Sequence, residues 1–233
     1  MFTKMDETNI DKWKKHFDDL ANKFGQSIKA NDYFDVRHFR VMQEIVSRII
    51  KETQANLIVD VGCGNGVFSE MAATERTVYG IDISSAMLKY AVQKGLKCIQ
   101  SNALELPLRS DSSDITLFIG VLQLFKHGEE IDRCLSELHR ITKPNGLIIL
   151  STLNGESLLR KVFCAIYDDA VGLHFERMFR IEELIRMLKR VNIEITVFYS
   201  LYPPLPWYTK HDSPGIAERL LASTVVIVGK KKE

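Results

Sequence analysis

Apolar positions along this chain of 233 residues change rhythm once, near residue 56. Before it they recur every three or four residues. Ile10, Trp13, Phe17, Leu20, Ala21 and Phe24 make one stripe, and Phe39, Met42, Ile45, Val46, Ile49 and Ile50 make a second. That spacing predicts two amphipathic helices with a polar stretch between them, at 25–35, that carries Tyr33 and Phe34. Beyond residue 56, short β-rich runs take over, at 57–61, 77–81, 97–100, 115–119, 147–151, 193–199 and 222–228. Runs apolar at successive positions belong to strands covered on both faces, as in a parallel sheet between helices. Helical spacing returns between them, in Ile131, Leu135, Leu138 and Ile141 and again over 180–191, and an extra helix is expected over 158–166. The alternation predicts one α/β domain over 1–233, without repeats or low-complexity segments.

The densest chemical signal follows the first run. Leu57-Ile58-Val59-Asp60-Val61 leads into Gly62-Cys63-Gly64-Asn65-Gly66, so three glycines alternate across five residues. Glycine tolerates left-handed backbone and lets a ligand come close, whereas a residue with a Cβ loses about 1–2 kcal/mol there. A strand, a glycine turn and helix-compatible residues in that order mark a nucleotide-type site at the carboxyl end of a first strand. A dinucleotide fingerprint, G-x-G-x-x-G, needs glycine where Val67 stands, which disfavours an NAD-dependent oxidoreductase. The second run ends at Asp82, 20 residues after Gly62, a spacing suited to a carboxylate that accepts from ribose hydroxyls.

These residues resemble the motifs of class I S-adenosylmethionine-dependent methyltransferases. Asp60-x-Gly62-Cys63-Gly64-x-Gly66 is similar to the family's D-x-G-C/T-G-x-G, and Asp82-x-Ser84-x-x-Met87-Leu88 to its D-x-S-x-x-M-L. Asn102, with Leu106-Pro107 after it, stands where the family usually has an acid, and Leu138-x-Arg140-x-x-Lys143-Pro144-x-Gly146 resembles its lead into the fifth strand. The resemblance covers 57–150. It implies a Rossmann-like, doubly wound sheet of seven strands, mostly parallel with an antiparallel last strand, helices on both faces and an N-terminal helical cap over 1–55. It further implies a cofactor-binding half over 56–151 and a substrate-side half over 152–233, with an inserted lid at 152–180. S-adenosylmethionine, leaving as S-adenosylhomocysteine, is the implied cofactor. Its implied site comprises Asp60, Gly62, Cys63, Gly64, Gly66, Asp82, Ile83, Met87, Asn102, Ala103 and Leu104. Asp82 would take the ribose and Asn102 the adenine amine. Backbone at Ile119 and Gly120 would take the methionine ammonium, and Tyr33 and Arg40 the methionine carboxylate or the substrate.

The catalytic residue stays open. Gln123 and Leu124, past the fourth strand, are not useful bases, and His127, His174, Glu176 and Tyr33 are the candidates. A sulfonium methyl is already activated, so a general base is needed only for a nucleophile still protonated at attack. The expected acceptor is a small molecule, apolar or aromatic, facing the Tyr202–Tyr208 segment with its three prolines, read as a stiff loop. Formal net charge is +1, with no basic run except Lys230-Lys231-Lys232, so nucleic acid and an RNA methyltransferase are not expected. Four scattered cysteines lack zinc or disulfide spacing, so no metal is expected. No run reaches the ~18–20 apolar residues of a membrane span. A cytoplasmic monomer or homodimer is the expectation. A non-catalytic cofactor- or partner-binding subunit on the same fold is the alternative.

Overall fold

The computed structural model describes residues 7–31, 36–162, 175–202 and 207–232. Two helices come first, α1 (Glu7–Phe24) and α2 (Val36–Lys51), on the two predicted stripes. Then follow β1 (Leu57–Val61), α3 (Glu70–Ala73), β2 (Thr77–Asp82), α4 (Ser85–Gln93), β3 (Lys97–Gln100) and β4 (Ser113–Ile119). The remainder is α5 (Gly128–Ile141), β5 (Thr142–Leu153), α6 (Ile181–Arg190), β6 (Ile193–Leu201), β7 (Tyr208–His211), α7 (Ile216–Leu221) and β8 (Thr224–Lys231).

The strands form one sheet in the order β3-β2-β1-β4-β5-β8-β6-β7. The first five run parallel, β8 lies antiparallel between β5 and β6, and β7 closes a hairpin on β6. There are thus eight strands rather than seven. The addition is β7: Tyr208, expected in a loop, pairs with Leu201, and its hydroxyl accepts from Arg48 of α2. Tyr208 is therefore tied to α2, which argues against a free aromatic wall for a substrate.

Period-two alternation divides the core. Ile58, Ile115, Leu117 and Ile149 face α2, α3 and α4, packing on Phe39, Ile45, Ala72 and Leu88. Val59, Val61, Phe118, Ile148 and Leu150 face α5 and α6, packing on Leu135, Leu138, Ile181 and Leu184. Strands apolar on both faces need helices above and below, so this sequence pattern forces the double winding. Strand order reverses between β1 and β4. In an open parallel sheet that point leaves a crevice outside the carboxyl ends of the strands.

Candidate cofactor site at the carboxyl edge

After β1 the chain must turn sharply. Gly62, Gly64 and Gly66 take φ values of +71°, +53° and +81°. A Cβ on Gly62 would lie 2.2 Å from Val121 Cγ2, so the turn and the segment after β4 meet with no room for a side chain. Beneath the turn, the Ser69 hydroxyl donates to Asp60 at 2.5 Å, both residues buried. Burial pushes the Asp60 carboxyl up to about 7; the Ser69 bond opposes the rise and the Asp82 charge adds to it. Asp60 supports the turn from within.

Asp82 ends β2 only 8% exposed. Its Oδ2 accepts from Gly64 N–H at 2.8 Å and its Oδ1 from Ser84 N–H at 2.9 Å. Burial raises its pKa, the backbone N–H groups of Ser84, Gly64 and Ile83 hold it down, and Asp18 raises it further. Each carboxylate oxygen keeps a second acceptor position. One side chain thus orients the glycine turn and the start of α4 and still has capacity for ligand hydroxyls.

Ser84 caps α4: its hydroxyl oxygen accepts from Met87 N–H at 3.0 Å and donates to Asp18 of α1 at 2.6 Å. The Asn65 amide donates to the carbonyls of Gly25 and Ser27 at 3.1 and 3.0 Å, anchoring the end of α1 to the glycine turn. At the other end of α1, Asn9 donates to the Leu124 carbonyl at 3.4 Å and Lys12 pairs with Glu176 at 2.6 Å. Helix α1 therefore crosses the carboxyl edge from the β4 side to the β2 side. Asp18 and Asn65 carry no sequence signal of this role, because their partners lie tens of residues away.

Other expected site residues divide into groups. Gly62, Cys63, Gly64, Gly66, Asp82 and Ile83 converge on the turn. Cys63 is buried there, and burial with the nearby acids Asp82 and Asp60 raises its thiol pKa well above the usual range, which makes it inert. Met87 is enclosed with Ala21 and Ala30 under α1, a packing position rather than one open to the crevice. Asn102 Oδ1 accepts from Leu104 N–H at 3.1 Å, so its oxygen already serves a turn, with one lone pair left. Ala103 and Leu104 are buried behind it. Ile119 is buried, and Gly120 (φ +73°) donates its N–H to Ser151 Oγ at 3.0 Å. Arg40 stands exposed on α2.

Of the candidate bases, His127 is exposed at the start of α5, where its N–H donates to Glu130 at 3.2 Å. Glu176 is committed to Lys12, and its N–H donates to the Gln123 carbonyl at 3.1 Å. Tyr33 and His174 lie outside the described residues, as does the 163–174 part of the lid expected at 152–180. Gln123, dismissed as a base, is buried and holds the 176–177 backbone to the end of β4.

Residues 59–150 match the family described as "Methyltransferase domain". A demethylmenaquinone methyltransferase from Geobacillus kaustophilus is 29% identical over 133 residues, which cover 52% of this chain and 55% of that protein. A tRNA (carboxymethyluridine(34)-5-O)-methyltransferase from Arabidopsis thaliana is 26% identical over 133 residues, 55% of this chain and 33% of that protein. The match thus spans between a third and little more than half of these relatives' length. Among solved structures, a S-adenosylmethionine-dependent methyltransferase from Thermotoga maritima superposes with a TM-score of 0.71 at 22% identity, covering 94% of this chain and 99% of that one. The fold is the same. The glycine turn and Asp82 fall inside the matched stretch, which carries a methyltransferase domain on the fold of S-adenosylmethionine-dependent methyltransferases.

Proposed function

We propose that the protein transfers a methyl group from S-adenosylmethionine to an O, N or C atom of a small, apolar or aromatic acceptor. The observation that carries this reading is Asp82: a nearly buried carboxylate at the end of β2, held by the backbone N–H groups of Gly64 and Ser84 beside the glycine turn. The residues present fit the cofactor. Asp82 has lone pairs for two hydroxyls, the turn offers backbone without side chains, and the Ala103–Leu104 segment supplies an apolar wall for a base. Bound there, the cofactor would supply an activated sulfonium methyl group.

The chain's own work is positioning and exclusion of water. Well-oriented reactants gain roughly 7–11 kcal/mol from proximity alone. Helix α1, tied down at Leu124, Glu176, Ser84 and Asn65, keeps bulk water from the crevice. Gln123 holds the 176–177 segment at the acceptor side. Among the described residues no free base faces the turn, so an acceptor already anionic at neutral pH, such as an acidic enol, or one with a free lone pair suits the site.

A tRNA acceptor is the second reading, favoured by the Arabidopsis relative's stated substrate. The near-neutral charge of this chain weighs against it. The test is incubation with methyl-labelled S-adenosylmethionine and separate panels of quinols, phenols, amines and bulk tRNA. Label in a small-molecule product is expected. Label in tRNA alone would replace the small-molecule reading, and no label in either would favour the non-catalytic subunit.

A further inference from the structure

Helix α1 carries a buried polar atom without a partner. Trp13 is 4% exposed, and among the described residues its indole Nε1–H meets no acceptor. An unsatisfied buried donor is unfavourable, and native proteins leave few of them unless a ligand completes the pair. The surroundings of Trp13 are well defined. Its ring packs edge-on against His16, with centroids 5.5 Å apart, and Lys12 Nζ sits 5.0 Å from its centroid while bound to Glu176.

The tie points of α1 locate this atom. Asp18 is bonded to Ser84, just past β2, and Asn9 to Leu124, just past β4. In the sheet β1 lies between β2 and β4, so the helix between those ties passes over the end of β1 and its glycine turn. Trp13 lies between the ties on the buried stripe of α1, the side whose Phe17, Leu20 and Phe24 pack against the domain at α4. Under the proposed function, on which this inference rests, the ribose is at Asp82 beyond β2. The amino-acid end of the cofactor then extends along the turn toward β4 and passes beneath Trp13. That end carries an ammonium, which only donates, and a carboxylate, which accepts.

We infer that the indole N–H of Trp13 donates to the carboxylate of the cofactor's amino-acid end. Trp13 is then a cofactor-positioning residue that couples closure of α1 to the presence of the complete cofactor rather than of its nucleoside part. Arg40, exposed on α2, is not required for that contact.

The experiment compares S-adenosylhomocysteine with 5′-methylthioadenosine, which keeps the nucleoside and sulfur but lacks the carboxylate and the ammonium. The chain has two tryptophans, Trp13 and Trp207, so a 15N-labelled sample gives two indole N–H peaks, assigned with the Trp207→Phe variant. Saturation with S-adenosylhomocysteine should move the Trp13 indole proton downfield and slow its exchange with water, and methylthioadenosine should do neither. Trp13→Phe keeps an aromatic ring without the donor. It should weaken S-adenosylhomocysteine binding about tenfold and leave methylthioadenosine affinity within about twofold. An indole peak unmoved by bound S-adenosylhomocysteine, or moved equally by both nucleosides, would overturn the inference while the proposed function stands. Absence of S-adenosylhomocysteine binding to the wild type would overturn both. The wild-type spectra decide the matter even where Trp13→Phe folds poorly.

Discussion

Asp60 and Asp82 are both buried acids a few ångströms from the glycine turn, and their surroundings give them different work. Asp82 is met by backbone N–H groups on each oxygen and keeps capacity for a ligand. Asp60 accepts from the Ser69 hydroxyl in a sealed position. Folding therefore favours its protonated form, and its pKa rises from an ordinary value of about 3.9 to about 7. The sign follows by linkage. The folded chain binds this proton more tightly than the unfolded one, so the group's contribution to stability is full below about pH 4 and is lost as pH rises through about 7. Asp60→Asn removes the titration and keeps an oxygen for Ser69. The advantage of the variant over the wild type in thermal denaturation should grow between about pH 4 and about pH 7 and level off above that. Parallel profiles would mean that Asp60 is ionised in the fold at little cost.

Among the elements, α1 links the fold to the site. Its C-terminal half packs through Phe17, Leu20 and Phe24 on Met87 and Tyr90 of α4, and Asp18 there props the α4 cap. Asp18→Ala removes an acceptor used by the Ser84 hydroxyl and the Ala86 N–H, and should cost about 1–2 kcal/mol in urea denaturation. Asp18→Asn retains the oxygen and should recover most of that. A loss below about 0.5 kcal/mol for the alanine variant would show that packing alone seats the helix. Most elements were legible because their residues repeat with period 2.0 or 3.6, as in Leu57–Val61 and the α2 stripe. What escaped was short or set by partners. The turn through Gly66 leaves α3 only Glu70–Ala73, too short for any stripe. The strand at Tyr208–His211 has no apolar alternation and exists because β6 offers it an open edge. Residues 143–146, read as the lead into the fifth strand, lie inside β5, where Asn145 adopts φ +64° and the register with β4 shifts.

Across the whole molecule, the order of strands puts one end of β1, β2 and β4 on one crevice, and the sequence spends its glycines and buried acids there. That concentration made Gly62, Gly64, Gly66 and Asp82 readable before any coordinates, since each is a residue type with a narrow reason to occupy its place. The ties that seat α1 over that crevice were not readable, because Asn9, Asp18 and Asn65 act through partners distant in sequence and resemble ordinary surface residues. The acceptor side depends on segments such as 175–177 that follow no period.

The central claim is that the crevice holds S-adenosylmethionine through Asp82. Its most direct test is calorimetric titration of the wild type and Asp82→Ala with S-adenosylmethionine, S-adenosylhomocysteine and NAD. The wild type should bind the first two with one site each and leave NAD unbound, and Asp82→Ala, still folded, should bind them at least about tenfold more weakly. Binding of NAD alone, or equal affinity of the variant for S-adenosylmethionine, would contradict the account.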